Sequence, residues 1–195
     1  MGKLRKTPSQ TVGPFFAYSL VAEQYGYDYN SLVNNLLIEP DTAGECIFIT
    51  GHIYDGNGQT IPDALIELWQ ADAQGNYRSS PITKKNDGFT GFGRLGTGTD
   101  AQHRFMFTTI KPGSSSGQAP HINVIVFMRG SLHQLYTRLY FSDEEEANSK
   151  DELLNAIPPE RRKTLIAQRK ENAGGVMYYF DIHMQGRNET VFFDV

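Results

Sequence analysis

CIFITGHIYDGNG, residues 46–58, is the stretch whose reading decides the fold. It reads as one long β-strand that stops at Asp55-Gly56, a strong turn pair. The same grammar continues downstream. IPDALIELWQAD (61–72) reads as a second strand after Pro62, although it is also compatible with a short helix. GNYRSS follows a turn at Gln74-Gly75, and HRFMFTTIKPG (103–113) is a strand closed by Pro112-Gly113. PHINVIVFMRG and HQLYTRLYF predict a hairpin around Arg129, Gly130 and Ser131. VMYYFDIHMQ and ETVFFDV predict two final strands. Only residues 142–169 read as helical, starting at Ser142 or Asp143 with acids in the first turn and broken at Pro158-Pro159. Short strands at a spacing of roughly a dozen residues, with one helical insertion, predict an all-β, antiparallel β-sandwich.

Residues 1–40 read differently from the rest. TVGPFFAYSL and EQYGYDYNSL carry aromatics, glycine and proline with no clean period. Such a segment is expected to pack on something else, its own domain or a partner chain. The expected division is an N-terminal arm over 1–40 and a β-domain over 41–195.

Composition limits the function. The chain has 195 residues, 39% hydrophobic, enough for one domain with a sizeable core. A net charge of −4 argues against a general nucleic-acid binder. Cys46 is the only cysteine, so neither a disulfide framework nor a cysteine zinc site can form. The basic N-terminus has no apolar run behind it, and the expected location is the cytoplasm.

No phosphate-binding or nucleophile-elbow motif occurs. GFTGFGRLGTGTD (88–100) is glycine-rich and reads as a flexible loop rather than a phosphate loop. The five histidines form no metal-binding spacing, and each taken singly reads as structural or surface. In the predicted strand at 119–127, however, His121 and Asn123 point to one face. A His-x-His pair there would offer two imidazoles to one metal. With Asn123 in the second place, three readings stand: a metal site with a substituted ligand, a lost site, or a strand that never bound metal.

The ordered set GHIYDGNGQTIPDALIELWQADAQGNYR, HRFMFTTIKPG, PHINVIVFMRG and LYTRLYF resembles the intradiol ring-cleavage dioxygenases over most of residues 46–195. Catalytic members of that family hold one ferric ion with two tyrosines and two histidines. Tyrosinate oxygens are hard anionic donors suited to Fe(III). On that pattern Tyr77 matches the first tyrosine and His121 the first histidine, while Asn123 stands in place of the second histidine. The segment that should bring the second tyrosine, and an arginine, is here SSSGQA (114–119) and has neither. The resemblance therefore implies no metal and no catalytic residue in this chain, and makes the HIN strand the remnant of a metal site.

TVGPFF and the short length are most similar to the α chains of two-chain family members, in which a homologous β chain carries the Fe(III). That similarity implies assembly into a higher hetero-oligomer of αβ pairs. The implied reaction is O2-dependent cleavage of 3,4-dihydroxybenzoate (protocatechuate) to 3-carboxy-cis,cis-muconate. Thr11, Val12, Gly13, Pro14 and Phe15 would wall the partner's active site. Arg138 would be a cation for the substrate carboxylate or the pocket mouth. Two other readings compete: a β-domain that binds a small aromatic or a protein without catalysis, and an independent metalloenzyme that recruits His103 alongside Tyr77 and His121.

Overall fold

The computed structural model describes residues 10–13, 15–78 and 88–194. Among the described residues, nine strands make up most of the regular secondary structure: β1 Cys46–Tyr54, β2 Leu65–Gln70, β3 Phe92–Gly96, β4 Arg104–Ile110, β5 His121–Phe127, β6 Leu135–Phe141, β7 Ile166–Asn172, β8 Gly175–Tyr179 and β9 Ile182–His183. They join in the order β3-β2-β5-β6-β7-β8-β1-β4, with β9 beside β1. Alternation sends Ile47, Ile49 and Ile53 of β1 inward with Phe105 and Phe107 of β4, and Ile122, Val124 and Val126 of β5 with Ile66 and Leu68 of β2. Fully burying each such side chain stabilises the fold by about 1.5–3 kcal/mol.

The sheet is mixed rather than purely antiparallel, and it curls toward a barrel. β6 pairs with β7 in parallel, as β1 does with β8 and with β9. The reason lies in the helical insertion. Neighbouring parallel strands need a crossover of a dozen or more residues, and residues 142–165 are that crossover. They hold α2 Glu145–Lys150, α3 Glu152–Ala156, α4 Pro159–Arg162 and a 3-10 turn. The helical reading ran past its end, since IAQRKEN is β7.

Three other expectations change. The glycine-rich stretch 88–100 contains β3, paired with β2 from Leu65↔Gly96 to Trp69↔Phe92. ETVFFDV makes only an isolated bridge, Tyr136↔Phe193. The arm contains a helix, α1 Phe16–Leu20, which packs Ala17 and Val21 over Leu65.

The two edge strands, β3 and β4, meet at a seam closed by residues 34–37. Arg94 N–H of β3 donates to Asn34 O, and Thr108 N–H of β4 donates to Asn35 O, each at 2.9 Å. Leu37 N–H returns a 2.9 Å bond to Thr108 O, and its side chain is fully buried. Both exposed sheet edges are thereby covered. Among the described residues no helix is long and apolar enough to cross a membrane.

Candidate functional site

Tyr77 reaches the outer face of β5 from a tight turn. Asp72 Oδ1 accepts from Gln74 N–H and Asn76 N–H, both at 2.9 Å, which folds the turn on itself. Gly75 has φ 86°, and a Cβ there would lie 1.9 Å from Ser114 O. Only glycine lets segment 114–118 press against the tyrosine turn this closely. Gly113 N–H donates to Asp72 O at 2.9 Å and joins the two loops.

The structure brings Tyr77, His121 and Asn123 together. His121 Nδ1 lies 2.8 Å from Ala119 O. A carbonyl only accepts, so Nδ1 carries the proton and Nε2 presents its lone pair. That lone pair accepts from the Tyr77 hydroxyl at 3.1 Å. Asn123 Nδ2 lies 3.2 Å from Trp69 O, which fixes the amide nitrogen toward the site, and it donates to the Tyr77 oxygen at 3.1 Å. The result is a one-way chain of hydrogen bonds from Asn123 through Tyr77 and His121 to Ala119.

The electrostatics keep this chain neutral. Burial lowers the pKa of His121, and the Arg138 charge lowers it further. Burial also raises the Tyr77 pKa, partly offset by the Asn123 bond and by Arg138. Both groups are neutral near pH 7.

A buried support lies behind them. Asp151 is fully buried. Its carboxylate accepts from Ala119 N–H at 2.9 Å, Tyr140 O–H at 3.2 Å and Leu154 N–H at 2.8 Å. It caps α3 and holds the residue whose carbonyl fixes the His121 tautomer. Burial pushes the Tyr140 pKa up to about 12. Arg138 pairs across the ladder with Asn123 and donates to Gln118 Oε1 at 3.2 Å. Among the described residues no carboxylate pairs with it.

These residues do not fit a ferric ion. Tyr77 oxygen and His121 Nε2 converge, but each already bonds the other. The third position presents N–H groups of Asn123, which cannot ligate. Segment 114–119 offers no anion, and its Ser115–Gln118 bridge folds it back on itself. Arg138 adds positive charge where a trivalent cation would need negative charge. His103 is no substitute donor. It precedes β4, whose far end leads to the loops beside Tyr77, so a seven-residue strand of about 24 Å separates them.

The arm lies elsewhere. Thr11 Oγ1 accepts from Gly130 N–H at 2.9 Å, at the tip of the β5–β6 hairpin, and donates to Met128 O at 3.4 Å. Gly13 O accepts from Phe16 N–H at 3.1 Å, which turns the chain into α1. Pro14 lies outside the described residues. Thr11 and Arg138 are therefore not brought together: Met128, just past the end of β5, is five residues from Asn123, about 17 Å along the extended chain.

Sequence reasoning missed three neighbours. The Trp69 ring meets the Tyr77 ring at 4.8 Å, tilted by 52°, and Trp69 is 42% exposed. Its place opposite Asn123 in the β2–β5 register became visible only once the strands were paired. Tyr140 lies two residues after Arg138 in LYTRLYF and shares its face, a signal that was present. Asp151 sits in a stretch that looked like solvated helix and carried no signal.

A family model described as "Dioxygenase" matches residues 22–186. The chain is 51% identical, over all of both chains, to the protocatechuate 3,4-dioxygenase alpha chain of Burkholderia cepacia. It is 30% identical to the beta chain from the same organism, over 87% of this chain and 77% of that one. Among solved structures, the dioxygenase domain of a carbohydrate-binding fusion protein from Streptomyces sp. SirexAA-E superposes with a TM-score of 0.63, at 25% identity, over 96% of this chain and all of that one.

Proposed function

The chain belongs to the intradiol ring-cleavage dioxygenase family, and we propose that it is the α-type subunit of a protocatechuate 3,4-dioxygenase, with the iron held by a homologous β chain. The observation that carries this reading is the closed hydrogen-bond chain from Asn123 to Ala119, which leaves this chain two donors where four are needed. Resemblance to both an alpha and a beta chain supports a pair built from two related folds. When bound on the partner, ferric ion supplies the chemistry that makes a catechol reactive toward O2. Opening the ring of 3,4-dihydroxybenzoate with O2 gives 3-carboxy-cis,cis-muconate. The site of action is the cytoplasm.

This chain's own contribution is a wall and a charge. Residues 11–15 reach the partner's pocket, and Arg138 offers its guanidinium to an anion at the pocket mouth. Phe15, Tyr29 and Leu32 are 73%, 76% and 73% exposed, which supports burial against another chain. Several αβ pairs assemble into the enzyme. Gly13 gives further support. A Cβ built on it meets nothing within 4 Å among the described residues, and its φ is not positive. Nothing described in this chain demands glycine there, so the demand is assigned to the partner. Deleting residues 1–13 is expected to lower kcat/KM of the assembled enzyme by up to about 100-fold, the scale of a small misplacement, with iron content unchanged. Unchanged kinetics in an iron-replete complex would contradict the reading.

A further inference from the structure

Thr11 is exposed, yet its hydroxyl is turned back onto its own chain. Gly130 N–H points at Thr11 Oγ1 from 2.9 Å, while Thr11 O–H is directed at Met128 O over a longer 3.4 Å. Both partners belong to the tip of the β5–β6 hairpin, where Gly130 has φ 90°. Such a backbone is open mainly to glycine. Val12 is half-buried beside Thr11. With Gln10 and Phe16 it lines a 240 Å³ groove against Phe127, Met128 and Leu132. The Phe16 and Phe127 rings meet at 5.5 Å. Gly13 follows, with open space on its Cβ side and its carbonyl accepting from Phe16 N–H.

We propose that Thr11 is a positioning residue: its hydroxyl latches the arm to the hairpin tip, and this sets where Gly13 and the following residues enter the partner's pocket. The inference rests on the proposed function and sharpens it, because within the 11–15 segment it gives Thr11 the task of holding the arm and leaves contact with the substrate to Gly13 and the residues after it. The latch has a physical rationale. An extended segment without regular hydrogen bonds loses conformational entropy when it docks. A segment already held at residue 11 has lost part of that freedom before the partner arrives, and so docks more tightly.

The test uses the assembled, iron-loaded enzyme with Thr11→Val, which keeps the shape and removes both hydrogen bonds, and Thr11→Ser, which keeps the hydroxyl. Thr11→Val is expected to lower kcat/KM by about 3- to 10-fold, the value of one such bond. The loss should appear mainly in KM and be equal for 3,4-dihydroxybenzoate and catechol. Thr11→Ser should stay within about 2-fold of the parent, and hydrogen exchange at the Gly130 amide should accelerate in Thr11→Val only. A loss confined to one substrate would mean direct contact and overturn the latch. So would equal losses in both variants, or parent kinetics in Thr11→Val while deletion of residues 1–13 still impairs the enzyme. If that deletion is also silent, the arm reading itself falls.

Discussion

The Tyr77–His121–Asn123 site and the arm at residues 10–13 answer the same question in opposite ways. At the first, polar atoms are satisfied within the chain: Asn123 gives to Tyr77, Tyr77 to His121 and His121 to Ala119, with Asp151 behind. At the second, a Cβ on Gly13 would meet nothing within 4 Å among the described residues, and Phe15 is 73% exposed. A site closed on itself keeps only the Tyr77 oxygen and His121 Nε2 as donors, too few for a ferric ion. A segment whose residue types are unexplained by its own chain is where another chain should be sought. The contrast is why we propose that this protein's contribution lies on its edge rather than at the Tyr77–His121–Asn123 site.

The largest expected effect breaks the self-contained side. Asp151→Ala removes one buried carboxylate and strands three donors, Ala119 N–H, Tyr140 O–H and Leu154 N–H. It should cost about 3–5 kcal/mol. Denaturant unfolding of the assembled protein would read it, and a loss under 1 kcal/mol would mean that the network is ornamental.

Arg138 tests the border between the two regions, since it touches the closed site yet has no carboxylate partner among the described residues. Arg138→Ala should raise KM roughly 10-fold for carboxylated catechols and much less for catechol, which has no anion to pair. Arg138→Lys should recover part of the loss, because lysine keeps the charge without the fork. Equal losses for both substrates would assign Arg138 to holding Gln118 and Tyr140 instead.

A smaller effect concerns pH. Burial holds the His121 pKa below its ordinary value. Below about pH 6.5 the unfolded chain gains a proton that the folded chain does not take. Stability from this group is therefore full above that pH and declines as pH falls toward the folded-state value. His121→Gln should flatten the acid limb of melting temperature against pH. An unchanged acid limb would show that His121 is not the group that titrates.

The sequence exposed the strands around Tyr77, His121 and Arg138 well, because turn pairs such as Asp55-Gly56 and Pro112-Gly113 punctuate them. It hid the parallel pairings. β6 and β7 become neighbours only because residues 142–165 cross over between them, and a crossover has no local signature that separates it from an appendage. It also hid β3, since Phe92–Gly96 is glycine-rich and owes its strand conformation to pairing with β2. The His121–Asn123 pair was legible because two-residue spacing fixes a shared face, whereas Tyr77 was placed only by the family resemblance. The tautomer of His121 was not, because it depends on the carbonyl of Ala119, which became a partner only on folding.

The central claim is that the metal belongs to the other chain, and one measurement tests it directly. Iron content and the visible tyrosinate-to-iron absorption band should be measured after ferric loading of this chain alone, the β partner alone and the assembled pair. The account predicts a colourless, iron-free preparation of this chain and a coloured, ring-cleaving assembly whose iron equals the β content. A stoichiometric ferric ion with that band in this chain alone would contradict it.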